Sequence, residues 1–160
     1  MAKESSAQET EPNWKLRAIV GLAALVLLGL LYLFGVTVIP RWWAHWVGDR
    51  VGGSLVKGTT YGLVFGSLFT LLPLAIARQA LRPMDLKVRL GLVLAALMLA
   101  APNLMTLGIV VGSGNAAHAG ERILDVEGSG FRTASALGAG AALVLAGGML
   151  VWSWRTRRPQ

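Results

Sequence analysis

Four long apolar stretches separated by short polar ones set the layout of this chain. Ala18 to Ile39 is an uninterrupted apolar run of 22 residues, 14 of them Leu, Ile, Val or Phe. Each such residue contributes about −0.3 to −0.6 kcal/mol near the centre of a bilayer, so insertion of this run as a helix is favourable. Gly58 to Ala77 carries no charge and is about long enough to span a bilayer. Leu90 to Val111 is the third such run, and 132–154, entered from Phe131, is the fourth. The pattern predicts an all-α integral membrane protein with four transmembrane helices. Its transmembrane domain covers 14–155, between a polar tail at 1–13, read as disordered, and a basic tail at 156–160.

The connections add detail. Pro40 is expected to end the first span, because proline removes a backbone donor and clashes with the preceding turn. Arg41 to Lys57 then places Trp42, Trp43 and Trp46 on much of one helical face, and Arg41, His45, Asp49 and Arg50 on another. That predicts a short amphipathic segment lying flat in the membrane interface between spans one and two. An aromatic platform for a lipid or glycan is the alternative. Trp14, Trp152 and Trp154 sit beside cations at the ends of runs, where aromatic rings anchor spans at headgroup depth. Arg78 to Arg89 is a short basic turn around Pro83, with Asp85 placed as an N-cap. Gly112 to Gly130 is the longest polar connection. Asn115, His118, Glu121, Arg122 and Asp125 have spacings that align if its middle is helical, and the reading is a solvated helical turn with salt bridges.

Two runs carry small residues at intervals of four. Gly58, Gly62 and Gly66 share one face of the second span, and Ala134, Gly138, Ala142 and Ala146 one face of the fourth. Lipid is as apolar as leucine, so helices associate in membranes through close packing, which small residues permit. These faces are read as helix-packing interfaces, either within this chain or against another protein. The fourth span has few strong inserters and depends on helix contact. Each half of the chain is a Leu-rich helix followed by a Gly-rich one, a weak parallel repeat. Pro73 is expected to kink the second span. Pro102-Asn103 interrupts the third, with Asn103 as an intramembrane polar residue that bonds a freed carbonyl or a neighbouring helix.

Composition supports the membrane reading. Charged residues make up 14% of the chain, against about 25% in soluble domains, and the mean hydropathy is +0.59. The net charge of +7 sits at the ends of apolar runs. Topology and contact with anionic headgroups explain it, and nucleic acid is not expected as a partner. Four spans put both termini on one side. That side carries Lys3, Lys15, Arg17, Arg78, Arg82, Lys87, Arg89, Arg155, Arg157 and Arg158; the other has Arg41, Arg50, Lys57, Arg122 and Arg132. The positive-inside rule places both termini in the cytoplasm. The first run is too long for a cleaved signal peptide, follows three acids, and lacks an A-x-A-like site, so a retained anchor is expected.

Signatures of chemistry are sparse. With no cysteine there is no thiol nucleophile, and no P-loop, H-E-x-x-H or G-x-S-x-G motif occurs. No Asp, Glu, Lys or Arg falls at the centre of a run, where ion-coupled carriers usually place one. A triad from Ser113 or Ser135 with His118 and Asp125 has no recognised elbow. No catalytic residue, metal site or cofactor is expected.

RWWAHWVGDRVGGSLVKGTTYGLVFGSLFTLLPL, from Arg41 to Leu74, and the layout after it resemble small four-span actinobacterial membrane proteins labelled as permeases. They are also similar to the accessory membrane subunit of MCE (mammalian cell entry) lipid importers of mycobacteria. The resemblance covers about two-thirds of the chain and includes no catalytic motif. It implies a plasma-membrane subunit beside a permease and an ATPase that move fatty acids or other lipids, with no ATP site of its own. The expected function is a non-catalytic accessory or stabilising subunit. Its partners would be integral membrane proteins, such as the permease of an ABC-type lipid importer, and membrane lipids. A self-contained homo-oligomeric permease is the alternative, and an intramembrane enzyme the third.

Overall fold

A computed structural model describes residues 13–156 of the chain. The tail expected before Asn13, and the C-terminal basic residues Arg157 and Arg158, lie outside the described residues. Among those described, the fold is all-α: α1 (Trp14–Val51), α2 (Leu55–Ala80), α3 (Leu86–Val111), α4 (Asn115–Val126) and α5 (Phe131–Thr156). Helices α1, α2, α3 and α5 are long and apolar enough to cross a membrane, so the chain reads as a multi-pass membrane protein. At 1.5 Å per residue, the 26 residues each of α2, α3 and α5 give about 39 Å, more than a hydrocarbon core of about 30 Å.

The described residues fall into two compact units that divide between Phe34 and Gly35, inside α1. In the first, every residue from Trp14 to Tyr32 is exposed. The second holds the packed core, and α2 is its central helix, lying mostly against α5 and then α3.

The end of α1 differs from expectation. Pro40 does not terminate the helix; it lies inside it, buried, and α1 continues to Val51. A proline removes one helical hydrogen bond, and its fixed φ is itself compatible with a helix. The turns beyond it are held by packing, since Trp43, Ala44, Val47 and Val51 are all buried. The expected separate segment is therefore the last part of α1, and only 52–54 lie between α1 and α2. Gly52 and Gly53 turn the chain with φ of 59° and 71°, a region that glycine enters without steric cost. The Gly53 N–H donates to the Glu127 carbonyl at 2.7 Å. Ser54 then caps α2, its Oγ accepting from the Lys57 N–H at 3.4 Å. The short amphipathic helix is α4 instead, with Ala116, Ala117, Gly120 and Leu124 buried and His118, Arg122 and Asp125 outward.

Helices α2 and α5 run parallel and in step. A Cβ on Gly58 would meet the backbone at Ser129 and Phe131, one on Gly62 that at Phe131 and Ser135, and one on Gly66 that at Ser135 and Ala139. In return, a Cβ on Gly138 would lie 2.7 Å from the Leu63 carbonyl. The two small-residue helices of the weak repeat thus pack on each other. Helix α3 is tied to α2 by Asn103, whose Nδ2 donates to the Gly66 carbonyl at 3.1 Å and to Thr70 Oγ1 at 2.8 Å. Replacing Asn103 with alanine is expected to cost about 0.6–1.7 kcal/mol, the range for such bonds between membrane helices. Unfolding of the variant and parent in the same detergent checks this.

Candidate functional site

Buried side chains concentrate at one end of the second unit, where α1 finishes, α2 and α5 begin and α3 ends. Trp43 is at the centre. Its ring stacks on Trp46 at 5.0 Å and 12°, and meets Phe65 at 6.3 Å and the edge of Phe131 at 6.5 Å. Its Nε1–H donates to Thr106 Oγ1 at 2.9 Å, and the Thr106 hydroxyl donates to the Pro102 carbonyl at 2.9 Å. Val47, Val51, Ile109 and Leu124 complete this core. Trp43, 3% exposed, is therefore a core residue and not an interfacial anchor. Trp46 is half-buried, and Trp42 is 55% exposed. Trp14, Trp152 and Trp154 are exposed near the helix ends.

Arg50 stacks over the other face of Trp46, 3.4 Å from its centroid, and its Nη1 donates to the Trp46 carbonyl at 2.8 Å. Only the four-residue spacing of Trp46 and Arg50 signals this Arg50–Trp46–Trp43 stack in the sequence. A guanidinium on an indole face is attracted by the ring quadrupole, and its flat apolar surface covers the ring.

A second polar cluster joins α4 to the start of α5. Arg132 Nη1 lies 2.8 Å from Glu121 Oε1, and its Nη2 3.0 Å from Asp125 Oδ1. Nδ1 of His118 is 3.4 Å from Glu121, and Nδ1 of His45 is 3.8 Å from Glu127. Only the His118–Glu121 contact lies within one helical turn; the others join α5 to α4 and α1 to Glu127. A cation in the first turn of a helix faces the positive end of its dipole, and the two carboxylates offset that here. The side-chain partners of His118 and Asp125 are Glu121 and Arg132; Ser129 donates only to the Asp125 carbonyl, at 3.2 Å. Ser135 is buried on the α5 face that meets α2. Among the described residues, no three His, Asp or Glu side chains converge as metal ligands.

The packing residues read from the sequence have definite places. Gly58, Gly62, Gly66, Ala134, Gly138 and Ala142 are buried, and Ala146 is half-buried. The groove on α2 is filled by α5 of the same chain, so it is not free to seat a foreign helix. Glycines elsewhere face open space: a Cβ on Gly21, Gly29, Gly140, Gly147 or Gly148 would meet nothing within 4 Å. Asp85 occupies the N-cap position of α3 without a side-chain capping bond. No protein family, curated protein or solved structure matches this chain.

Proposed function

We propose that this chain is a non-catalytic accessory subunit of a larger complex in the plasma membrane, with both termini cytoplasmic. The observation that carries the reading is the apolar half of α1. Its most hydrophobic stretch has no buried residue, whereas α2, α3 and α5 each bury part of theirs. With α2's glycines occupied by α5, Gly21 and Gly29, which face open space, would let a partner's transmembrane helix approach closely. The resemblance of Arg41 to Leu74 and beyond makes an MCE-type lipid importer the first complex to examine, with its permease as the partner.

The test is purification of the tagged full-length chain from its native membranes in a mild detergent. Larger integral membrane proteins are expected to come with it, and to be lost when Gly21 and Gly29 are both replaced by leucine. Recovery of the chain alone overturns the proposal. Solute transport by liposomes holding only this protein would replace it with a self-contained permease.

A further inference from the structure

The two ends of the second unit hold equal numbers of cations and unequal numbers of acids. Where α2 finishes and α3 begins stand Arg78, Arg82, Lys87 and Arg89, and the one acid among them is Asp85. Helix α5 brings a fifth cation to this rim. Ser67 Oγ lies 3.4 Å from the Gly138 carbonyl, and α2 and α5 run in step from that contact. Trp152 thereby comes level with Leu81, and Arg155 within a turn of it. All five cations are exposed, and none takes an ion pair among the described residues. The packed end of the unit also has five cations, but four carboxylates accompany them, and Arg132 is paired with two. One end carries its own counter-charge; the other leaves it to the surroundings.

The groups beside these cations indicate what those surroundings are. Leu81 is 85% exposed and Leu86 66%, one on each side of the turn between α2 and α3. Water alone leaves both uncovered. At a bilayer surface they reach the acyl chains, while the longer Arg and Lys side chains extend to the phosphates. Trp152 and Trp154 are exposed at the same level, and indole rings collect at headgroup depth. Apolar, aromatic and cationic groups thus meet at one height, as the boundary of a bilayer requires.

We infer that this rim selects anionic phospholipids, whose phosphates serve as the counter-ions of its five cations. A general affinity of a basic chain for membranes would treat the two ends alike, since their cations are equal in number. The difference lies in the carboxylates, which offset the charge at the packed end only. Like charges at the unpaired rim repel across the ends of three helices, and interleaved phosphates remove that repulsion. Each Lys or Arg near an anionic surface adds about fivefold to association. The inference rests on the chain lying in a bilayer, and neither on its orientation there nor on its role as an accessory subunit.

The chain has no cysteine, so an introduced thiol reports one place. Gln79→Cys is exposed beside Arg78, and Val111→Cys is exposed at the end of α3, towards the packed end. Each carries a fluorophore in the full-length chain, held in phosphatidylcholine nanodiscs. A small fraction of nitroxide-labelled phosphatidylglycerol or phosphatidylcholine is the quencher. Phosphatidylglycerol is expected to be enriched about fivefold at Gln79→Cys, and not at Val111→Cys. Arg82→Gln, Lys87→Gln and Arg89→Gln together should abolish the enrichment. Arg82→Lys with Arg89→Lys should keep it, which separates lost charge from lost fold. Equal enrichment at both reporters, survival in the glutamine variant, or loss in the lysine variant overturns the inference. So does the lack of any enrichment in the full chain, as when Glu4, Glu9 and Glu11 of the tail neutralise the rim instead. Removal of the enrichment by inorganic phosphate at constant ionic strength would assign the rim to a soluble anion, and also overturns it. None of these results decides whether a partner protein co-purifies, so the two proposals fail separately.

Discussion

Gly66→Ala is expected to destabilise the fold by about 2–3 kcal/mol, while the same exchange at Gly140 is neutral or stabilising by up to about 1 kcal/mol. The chemistry is identical and the surroundings are opposite. A Cβ on Gly66 meets the carbonyl of Ser135, with that carbonyl's carbon and the Ala139 nitrogen each at 2.9 Å. All three atoms belong to the α5 backbone and have no rotamer to yield. The helices have to separate along the line Gly58, Gly62, Gly66, losing dispersion contact over the whole seam. In lipid there is little hydrophobic force to restore it. The bond from Asn103 to the Gly66 carbonyl is strained by the same shift. At Gly140 nothing lies within 4 Å, so alanine only removes the conformational freedom that glycine brings to a helix. Tryptophan emission during unfolding in detergent reads both variants, because Trp43 and Trp46 pack on Phe65, the residue beside Gly66. Equal effects at the two sites would mean that α2 and α5 are not in register.

The contrast shows what the sequence can and cannot specify. Charge-free runs of some 20 residues have few solutions in a bilayer, and α2, α3 and α5 follow them with a few residues added at the ends. The four-residue glycine spacing specifies that a backbone comes close. It does not specify which backbone, since α5 and a foreign helix satisfy it equally well. The end of α1 departs from its local sequence signal for another reason. Pro40 carries a strong local stop signal, but it costs one hydrogen bond, and the buried row Trp43, Val47 and Val51 stabilises the turns beyond it. That row has helical spacing, and so does the exposed row Arg41, His45 and Asp49. Either would have argued for continuing the helix. A boundary at Pro40 makes the same residues a separate segment on a membrane surface. In the structure the buried row meets Phe65 of α2, and His45 of the exposed row lies beside Glu127.

Trp43 separates those two pictures by measurement. As an interfacial anchor it would resemble Trp42, and truncating either ring would have a similar small effect. As found, Trp43→Ala should cost about 3–5 kcal/mol, the range for deleting a large buried aromatic, and Trp42→Ala less than about 1 kcal/mol. The deletion leaves a void among Trp46, Phe65, Phe131 and Thr106, from four separate stretches of chain. Closing it would require α1, α2, α3 and α5 to move together. Trp43→Phe keeps part of the ring and drops the N–H, and its cost should be intermediate. Thr106 remains satisfied there, because its hydroxyl still donates to the Pro102 carbonyl. Arg50 should also lose its fixed position in Trp43→Ala, since the indole it covers is itself braced by Trp43. Far-ultraviolet circular dichroism is the suitable readout, because the substitution removes a fluorophore. Similar losses for Trp42→Ala and Trp43→Ala would return the end of α1 to the membrane surface.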